Sequence, residues 1–155
     1  MARCLITVDG VLPRPLGIAR SDVRRAAAYF AARSSARSGL VFCAVTVILQ
    51  DDAFSAETHQ AINGVEGATD VITQPYDAMP GERSGVYGEL YVNCDQALRA
   101  APLRRGWNAA KELLLYVAHG MDHLSGADDF SARDYRLMRR RELGWLRDWE
   151  KVCHD

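Results

Sequence analysis

Apolar positions along the chain alternate between short β-branched runs and longer stretches with the three-to-four-residue spacing of a helix. The short runs predict four strands, at residues 4–8, 40–49, 69–73 and 86–92. The helical spacing predicts five helices, at residues 21–33, 51–62, 95–100, from 108 to a turn at 126, and 131–149. Strands interleaved with helices predict one α+β domain over residues 1–155, in which a small mixed four-stranded sheet packs with about five helices.

Three local features sharpen this prediction. The second run is apolar throughout, which predicts a strand buried on both faces. Pro75 is expected to close the third strand, and Gly88 predicts a bulge in the fourth. The last helix is expected to direct five apolar side chains toward the core, namely Tyr135, Leu137, Met138, Leu143 and Leu146.

Composition indicates an ordinary globular protein, with 48% hydrophobic and 25% charged residues. The net charge of −1 gives no global attraction to nucleic acid, so any such surface must be a local patch. Four cysteines lack Cys-x-x-Cys spacing, which is typical of reduced thiols. No apolar run is long enough to span a membrane and no signal peptide precedes the domain, so we expect a cytoplasmic location without membrane contact. The oligomeric state stays open.

The fourth predicted helix and its following turn carry a candidate metal site. His119 and His123 are four residues apart, which places both imidazoles on one helix face about 40° apart. Gly126 can end the helix in a left-handed conformation. Asp129, three residues later, can then return a carboxylate toward the two rings. Three protein ligands with a fourth position left open are typical of catalytic zinc.

Two interpretations of this site use the residues between the ligands differently. Zinc peptidases with His-Glu-x-x-His use the Glu as general base, but that position is Gly120 here. Asp122 lies about 60° from His119 around the helix and is the candidate catalytic carboxylate. Alternatively, Asp122 hydrogen-bonds a ligand imidazole. A zinc metallopeptidase-like hydrolase remains an alternative, because the ligand spacing also suits metzincin-type sites.

The same motif resembles the signature of the YbeY family of endoribonucleases and rRNA maturation factors, His-Gly-x-Leu-His-Leu-x-Gly-Tyr-Asp-His. The chain fits this signature at His119, Gly120, His123, Leu124, Gly126 and Asp128. Further matches lie at Thr69-Asp70-Val71-Ile72, Gly88-Glu89-Leu90, Glu112, Met138 and Glu142. The similarity extends over roughly residues 58–146, well beyond the metal motif.

This resemblance implies a zinc-dependent endoribonuclease that acts in rRNA maturation, notably at the 3′ end of the small-subunit RNA, and in ribosome quality control. It implies one Zn²⁺ held by His119, His123 and Asp129 and acting as a Lewis acid, with rRNA and the small ribosomal subunit as partners. Three departures from the family pattern matter for the site. Asp129 replaces a His, Asp122 replaces a Leu, and Asn63 replaces an Arg that many members have.

Candidate substrate-binding residues follow from the same comparison and from local charge. Asn63 can donate a hydrogen bond to a phosphate but offers no cationic fork. Arg104 and Arg105 precede the metal helix, and further arginines crowd the last helix at 133, 136 and 139–141. A charge run is usually a solvated face, although either cluster could contact RNA. A third hypothesis is therefore a non-catalytic, ribosome-associated zinc-binding module.

Overall fold

The computed structural model describes residues 3–153 and confirms the predicted α+β fold. Within that range four strands form one sheet: β1 (Leu5–Gly10), β2 (Phe42–Gln50), β3 (Val71–Tyr76) and β4 (Val86–Asn93). Five α-helices accompany it: α1 (Arg20–Ser38), α2 (Asp52–Asn63), α3 (Cys94–Ala100), α4 (Ala109–Leu124) and α5 (Ala132–Cys153). None of these helices is both long and apolar enough to cross a membrane.

The sheet is mixed and has the strand order β1-β2-β4-β3. β1, β2 and β4 run parallel, whereas β3 pairs antiparallel with β4 and forms one edge. The prediction that Pro75 closes the third strand is wrong, because the residue lies inside β3 opposite Gly88. An edge strand tolerates proline because the missing N–H can be one that would face away from the ladder.

The prediction that the second strand is buried on both faces is also wrong. Val45, Val47 and Leu49 are buried, but Thr46 and Ile48 between them are partly exposed. Helix α1 packs against β1 and β2, and α4 packs against β3 and β4. Helix α2 contacts β2, β3 and β4 less extensively, and α3 contacts β2. One face of the sheet is therefore less completely covered than an all-apolar run suggests.

Two glycines allow α4 to approach the sheet closely. Gly88 pairs regularly with Val45, so the predicted bulge is wrong, and the irregularity of the sheet lies between Phe42 and Ala44. A β-carbon at Gly88 would lie 2.6 Å from a methyl group of Leu124 on α4. A β-carbon at Gly120 of α4 would lie 2.7 Å from a methyl group of Leu90 on β4. These contacts fix the depth at which α4 carries its histidines.

Helix α5 packs on α4 through a narrower stripe than its sequence predicts. Met138 and Leu146 are buried and Leu143 is partly buried, as expected. Tyr135 and Leu137 are instead 45% and 47% exposed, so their assignment to the core is wrong. At 100° per residue Leu137 lies about 100° from Met138, outside the stripe that faces the protein. Tyr135 has the angle of the stripe but lies on the first turn of α5, before Met138, which is the first buried residue of that helix.

Candidate metal centre

Helix α4 carries two of the three predicted ligands and is held at both ends by local interactions. Asn108 caps its N-terminus, where the side-chain oxygen accepts a hydrogen bond from the amide of Lys111 at 2.8 Å. The helix ends at Leu124, and Gly126 adopts the expected left-handed conformation with φ of +94°. The chain therefore reverses direction where the sequence predicts, and returns Asp129 toward the helix.

The three predicted ligands converge. Nε2 of His119 lies 3.1 Å from Nε2 of His123, and each of these nitrogens lies 3.7 Å from Oδ2 of Asp129. Bonds of about 2.0–2.2 Å in tetrahedral geometry require ligand atoms about 3.3–3.6 Å apart. The observed separations are close to that range. The three side chains therefore fit a single metal ion, with coordination positions left for other ligands.

The outer nitrogens of both rings have hydrogen-bond partners that orient them for this role. Nδ1 of His119 lies 2.9 Å and 3.0 Å from the two carboxylate oxygens of Glu142. Nδ1 of His123 lies 2.9 Å from the carbonyl oxygen of Ala127. Because both partners are acceptors, each Nδ1 carries the proton and donates it. Each Nε2 then presents its lone pair to the metal site, which is the usual arrangement of metal-binding histidines.

Glu142 was not predicted as a site residue, although its place in the sequence carries a signal. It lies on the stripe of α5 formed by Met138, Trp145, Leu146 and Trp149, and its side chain is fully buried. A carboxylate within a buried apolar stripe requires a partner. The sequence offered this sign, but not the identity of the partner on another helix.

Burial and the opposite charge of the partner have opposing effects on the pKa values of His119 and Glu142. Burial alone would lower the pKa of His119, but the hydrogen bond and negative charge of Glu142 outweigh it and raise that pKa. The positive charge of Arg139 opposes this rise. Burial raises the pKa of Glu142, and the neighbouring Asp122 adds to the effect against the opposing influence of His119.

The structure places Asp122 behind the metal site and not in it. The side chain of Asp122 is 0% exposed, so it reaches neither water nor the pocket. Arg141 donates hydrogen bonds to its carboxylate at N···O distances of 2.8–3.2 Å. Arg37 of α1 approaches the same carboxylate at 3.5 Å. Asp122 thus hydrogen-bonds arginines and no ligand imidazole. Its ion pairs with Arg37 and Arg141 connect α4 to α1 and α5.

An open pocket surrounds the three ligands, between α4, β3 and the end of α2. Asn63, the last residue of α2, lies in its wall as the sequence comparison predicts. His59 also lines the pocket, with Nδ1 2.9 Å from the carbonyl oxygen of Gly67. Asp70, which precedes β3, is a carboxylate of this wall that was not predicted as a site residue. Its local sequence carried one signal, because Asp70 belongs to the Thr69-Asp70-Val71-Ile72 match to the family pattern.

Arg104 and Arg105 do not line this pocket. The guanidinium of Arg104 lies 5.2 Å from the ring centre of Trp107 and 3.9 Å from the carboxylate of Glu112. Arg105 is exposed near the N-terminus of α4, whereas the ligands lie at its C-terminal end. The predicted substrate-binding cations are therefore not assembled with the predicted ligands.

Comparison with known proteins agrees with this arrangement. A model of the family described as Endoribonuclease YbeY matches residues 18–150. Over 130 residues the chain is 34% identical to an Endoribonuclease YbeY from Anaeromyxobacter sp. (strain Fw109-5), an alignment that covers 84% of this chain and 64% of that protein. It is 32% identical over 133 residues to one from Rhodopirellula baltica, which covers 85% and 65%. The aligned region thus spans just under two thirds of the length of these relatives.

The fold itself also has a solved counterpart. The solution structure of a protein from Thermotoga maritima superimposes with a TM-score of 0.62 over 97% of this chain and 91% of that one, at 24% sequence identity. At this identity the likeness concerns the fold alone. The match over residues 18–150, which includes all three ligands, carries the assignment. The chain belongs to the Endoribonuclease YbeY family.

Proposed function

We propose that this protein is a zinc-dependent endoribonuclease that acts in rRNA maturation, at the 3′ end of the small-subunit RNA, and in ribosome quality control. The observation that carries the proposal is the convergence of two Nε2 atoms and one carboxylate oxygen in an open pocket. Membership of the family supports RNA as the substrate. The proposal includes the small ribosomal subunit as partner, the cytoplasm as location and one hydrolase domain over residues 1–155.

The three predicted ligands and the polar residues Asn63, His59 and Asp70 of the pocket wall have roles in this proposal. His119, His123 and Asp129 would hold one zinc ion, which when bound supplies Lewis-acid stabilisation of a phosphodiester. Asn63 can donate a hydrogen bond to a phosphate oxygen from the opposite wall. His59 donates from Nδ1 to the carbonyl oxygen of Gly67, so its Nε2 is the ring nitrogen that remains for the substrate.

Asp70 is the best-placed proton acceptor in this pocket. Its Oδ1 accepts hydrogen bonds from its neighbours, the amide of Val71 at 2.7 Å and the hydroxyl of Thr69 at 3.3 Å. Oδ2 is then the oxygen that can take a proton from an attacking water. Asp122, the carboxylate predicted from the sequence, is enclosed by arginines and lacks a comparable route to the substrate.

The peptidase alternative receives less support from the packing. The position that carries the general base in His-Glu-x-x-His peptidases is Gly120, and it faces the sheet. A side chain there would collide with Leu90, so no larger residue could serve as a base from this position. The pocket wall does contain one carboxylate beyond the ligands, and peptide turnover by zinc-loaded protein would decide between the two activities.

The proposal is tested by elemental analysis of the purified protein together with cleavage of a small-subunit precursor RNA. We expect about one zinc per chain in the wild type and loss of both zinc and cleavage in Asp129→Ala. Asp128→Ala is a matched control, because it removes an exposed carboxylate one residue away. Zinc binding without cleavage in the wild type would contradict the nuclease, and would favour the non-catalytic ribosome-associated module.

A further inference from the structure

A patch of exposed aromatic and cationic side chains begins directly after the third ligand. Phe130 follows Asp129 in the chain and is 94% exposed. Tyr135, on the first turn of α5, is 45% exposed. Arg136 is exposed and Arg139 partly exposed on the same stretch of helix. We refer to Phe130, Tyr135, Arg136 and Arg139 as the arginine–aromatic patch.

The arginines of this region have no acidic partner within residues 3–153. None of the four arginines at 133, 136, 139 and 140 forms an ion pair there. Arg141, next in the chain, is by contrast engaged by buried Asp122. The carboxylates near them in the sequence are Asp128, Asp129, Asp134 and Glu142, and none of these forms an ion pair with the four arginines. The four guanidinium groups therefore remain available to an external anion.

Helical spacing places two members of the patch on the side of α5 that faces the metal pocket. At 100° per residue, Tyr135 lies about 20° and Arg139 about 60° from Glu142 around the helix, whereas Arg136 lies about 120° from it. Glu142 in turn contacts His119. The guanidinium of Arg139 lies 5.6 Å from the ring centre of Tyr135 and donates a hydrogen bond to that hydroxyl at 3.3 Å.

We propose that the arginine–aromatic patch binds single-stranded RNA and leads the strand into the metal pocket. The rings of Phe130 and Tyr135 would stack on bases, and Arg136 and Arg139 would contact phosphates. This inference rests on the proposed function, because it names the surface by which the nuclease holds its substrate.

Single-stranded RNA is the partner that accounts for both the arginines and the exposed aromatic side chains of the patch. Among the described residues that line the metal pocket, none is Lys or Arg, so cations for the RNA backbone must come from outside it. An acidic protein segment would satisfy the arginines but would leave a 94% exposed phenylalanine unexplained. A strand with both phosphates and unpaired bases satisfies the two together.

The test measures binding separately from cleavage. Fluorescence anisotropy of a labelled single-stranded 12-nucleotide RNA (about the length of one site plus flanks) is followed with zinc-loaded protein while the probe remains intact. Arg136→Gln/Arg139→Gln is compared with Arg147→Gln, which removes an exposed arginine farther along the same helix that forms no ion pair within residues 3–153. Tyr135→Ala is compared with Tyr135→Phe, which keeps the ring.

We expect the double arginine variant to bind about 10-fold more weakly, and to lower the slope of log affinity against log salt by about 1.4, or about 0.7 for each phosphate contact. Phe130→Ala and Tyr135→Ala should each weaken binding about 5-fold or more, which corresponds to the smallest loss expected when one base loses its aromatic stacking partner. The Arg147→Gln and Tyr135→Phe controls should bind within about twofold of wild type, because neither removes a contact of the kind proposed.

Three outcomes are distinguishable. Cleavage with unchanged binding in all patch variants would overturn this inference and leave the nuclease intact. Patch-dependent RNA binding without cleavage would support the inference and contradict the nuclease. Displacement of the RNA by polyglutamate as effective as by unlabelled RNA, with no effect of Phe130→Ala, would instead identify a surface for acidic protein segments and overturn the proposal.

Discussion

Replacing Glu142 with glutamine tests how much the buried carboxylate behind His119 contributes to metal affinity. The Glu142 side chain is fully buried, and its two oxygens lie 2.9 Å and 3.0 Å from Nδ1 of His119. Glutamine has nearly the same size and can still accept one hydrogen bond. The substitution therefore removes the negative charge with little change in packing.

The magnitude follows from the difference between a charged and a neutral acceptor. A hydrogen bond to a charged group contributes about 1.5–3 kcal/mol, against about 1 kcal/mol for a neutral pair. The difference of about 0.5–2 kcal/mol corresponds to a factor of about 2–30 in affinity. This agrees with the roughly 10- to 100-fold losses found when partners of metal-binding histidines are replaced. We therefore expect Glu142→Gln to bind zinc about 10-fold more weakly.

The assay is competition for zinc with a chromophoric chelator. Glu150→Gln is the matched control on the same helix, since Glu150 is partly exposed and its only ion pair among the described residues is with Lys111 at 3.8 Å. Thermal unfolding of the zinc-free proteins establishes that both variants fold. A zinc affinity of Glu142→Gln within about twofold of wild type would refute the reasoning, because the carboxylate would then contribute packing alone.

Three further predictions concern the packing around the site. Gly120→Ala should destabilise the protein by about 1–3 kcal/mol in urea unfolding, since the added methyl would lie 2.7 Å from a leucine methyl on β4. Arg141→Met should cost about 3 kcal/mol in the same assay by leaving buried Asp122 without its main partner, although a second guanidinium 3.5 Å away remains. At pH 8 a maleimide should label exposed Cys153 well before Cys94, because burial and nearby charge raise the pKa of Cys94 to about 11. Unchanged stability in either variant, or equal labelling rates followed by mass spectrometry, would contradict the corresponding prediction.

Short-range pattern was enough to predict the metal ligands and the order of the elements. His119, His123 and Asp129 lie within eleven residues, so helical spacing and one left-handed glycine determine how they meet. The cap at Asn108 and the end of α2 near Asn63 followed from local hydrogen bonding in the same way. Each of these features depends on neighbours within a few residues.

Features that join distant segments required the tertiary structure. Glu142 reaches His119 across 23 residues, and the Arg141–Asp122 pair spans 19. Asp70 enters the pocket only because β3 is an edge strand beside α4.

The errors in the predicted core have the same origin. Apolar pattern states which side chains favour burial, but which sheet face is covered depends on the helices that pack there. Tyr135 and Leu137 have the pattern of core residues, but Leu137 lies outside the stripe of α5 that faces the protein and Tyr135 lies before the first buried residue of that helix. The sequence by itself therefore determined the candidate ligands and the elements that bear them, since both depend on local backbone geometry. Only the tertiary structure decided what surrounds the ligands, because those contacts come from segments whose relative placement no local pattern specifies.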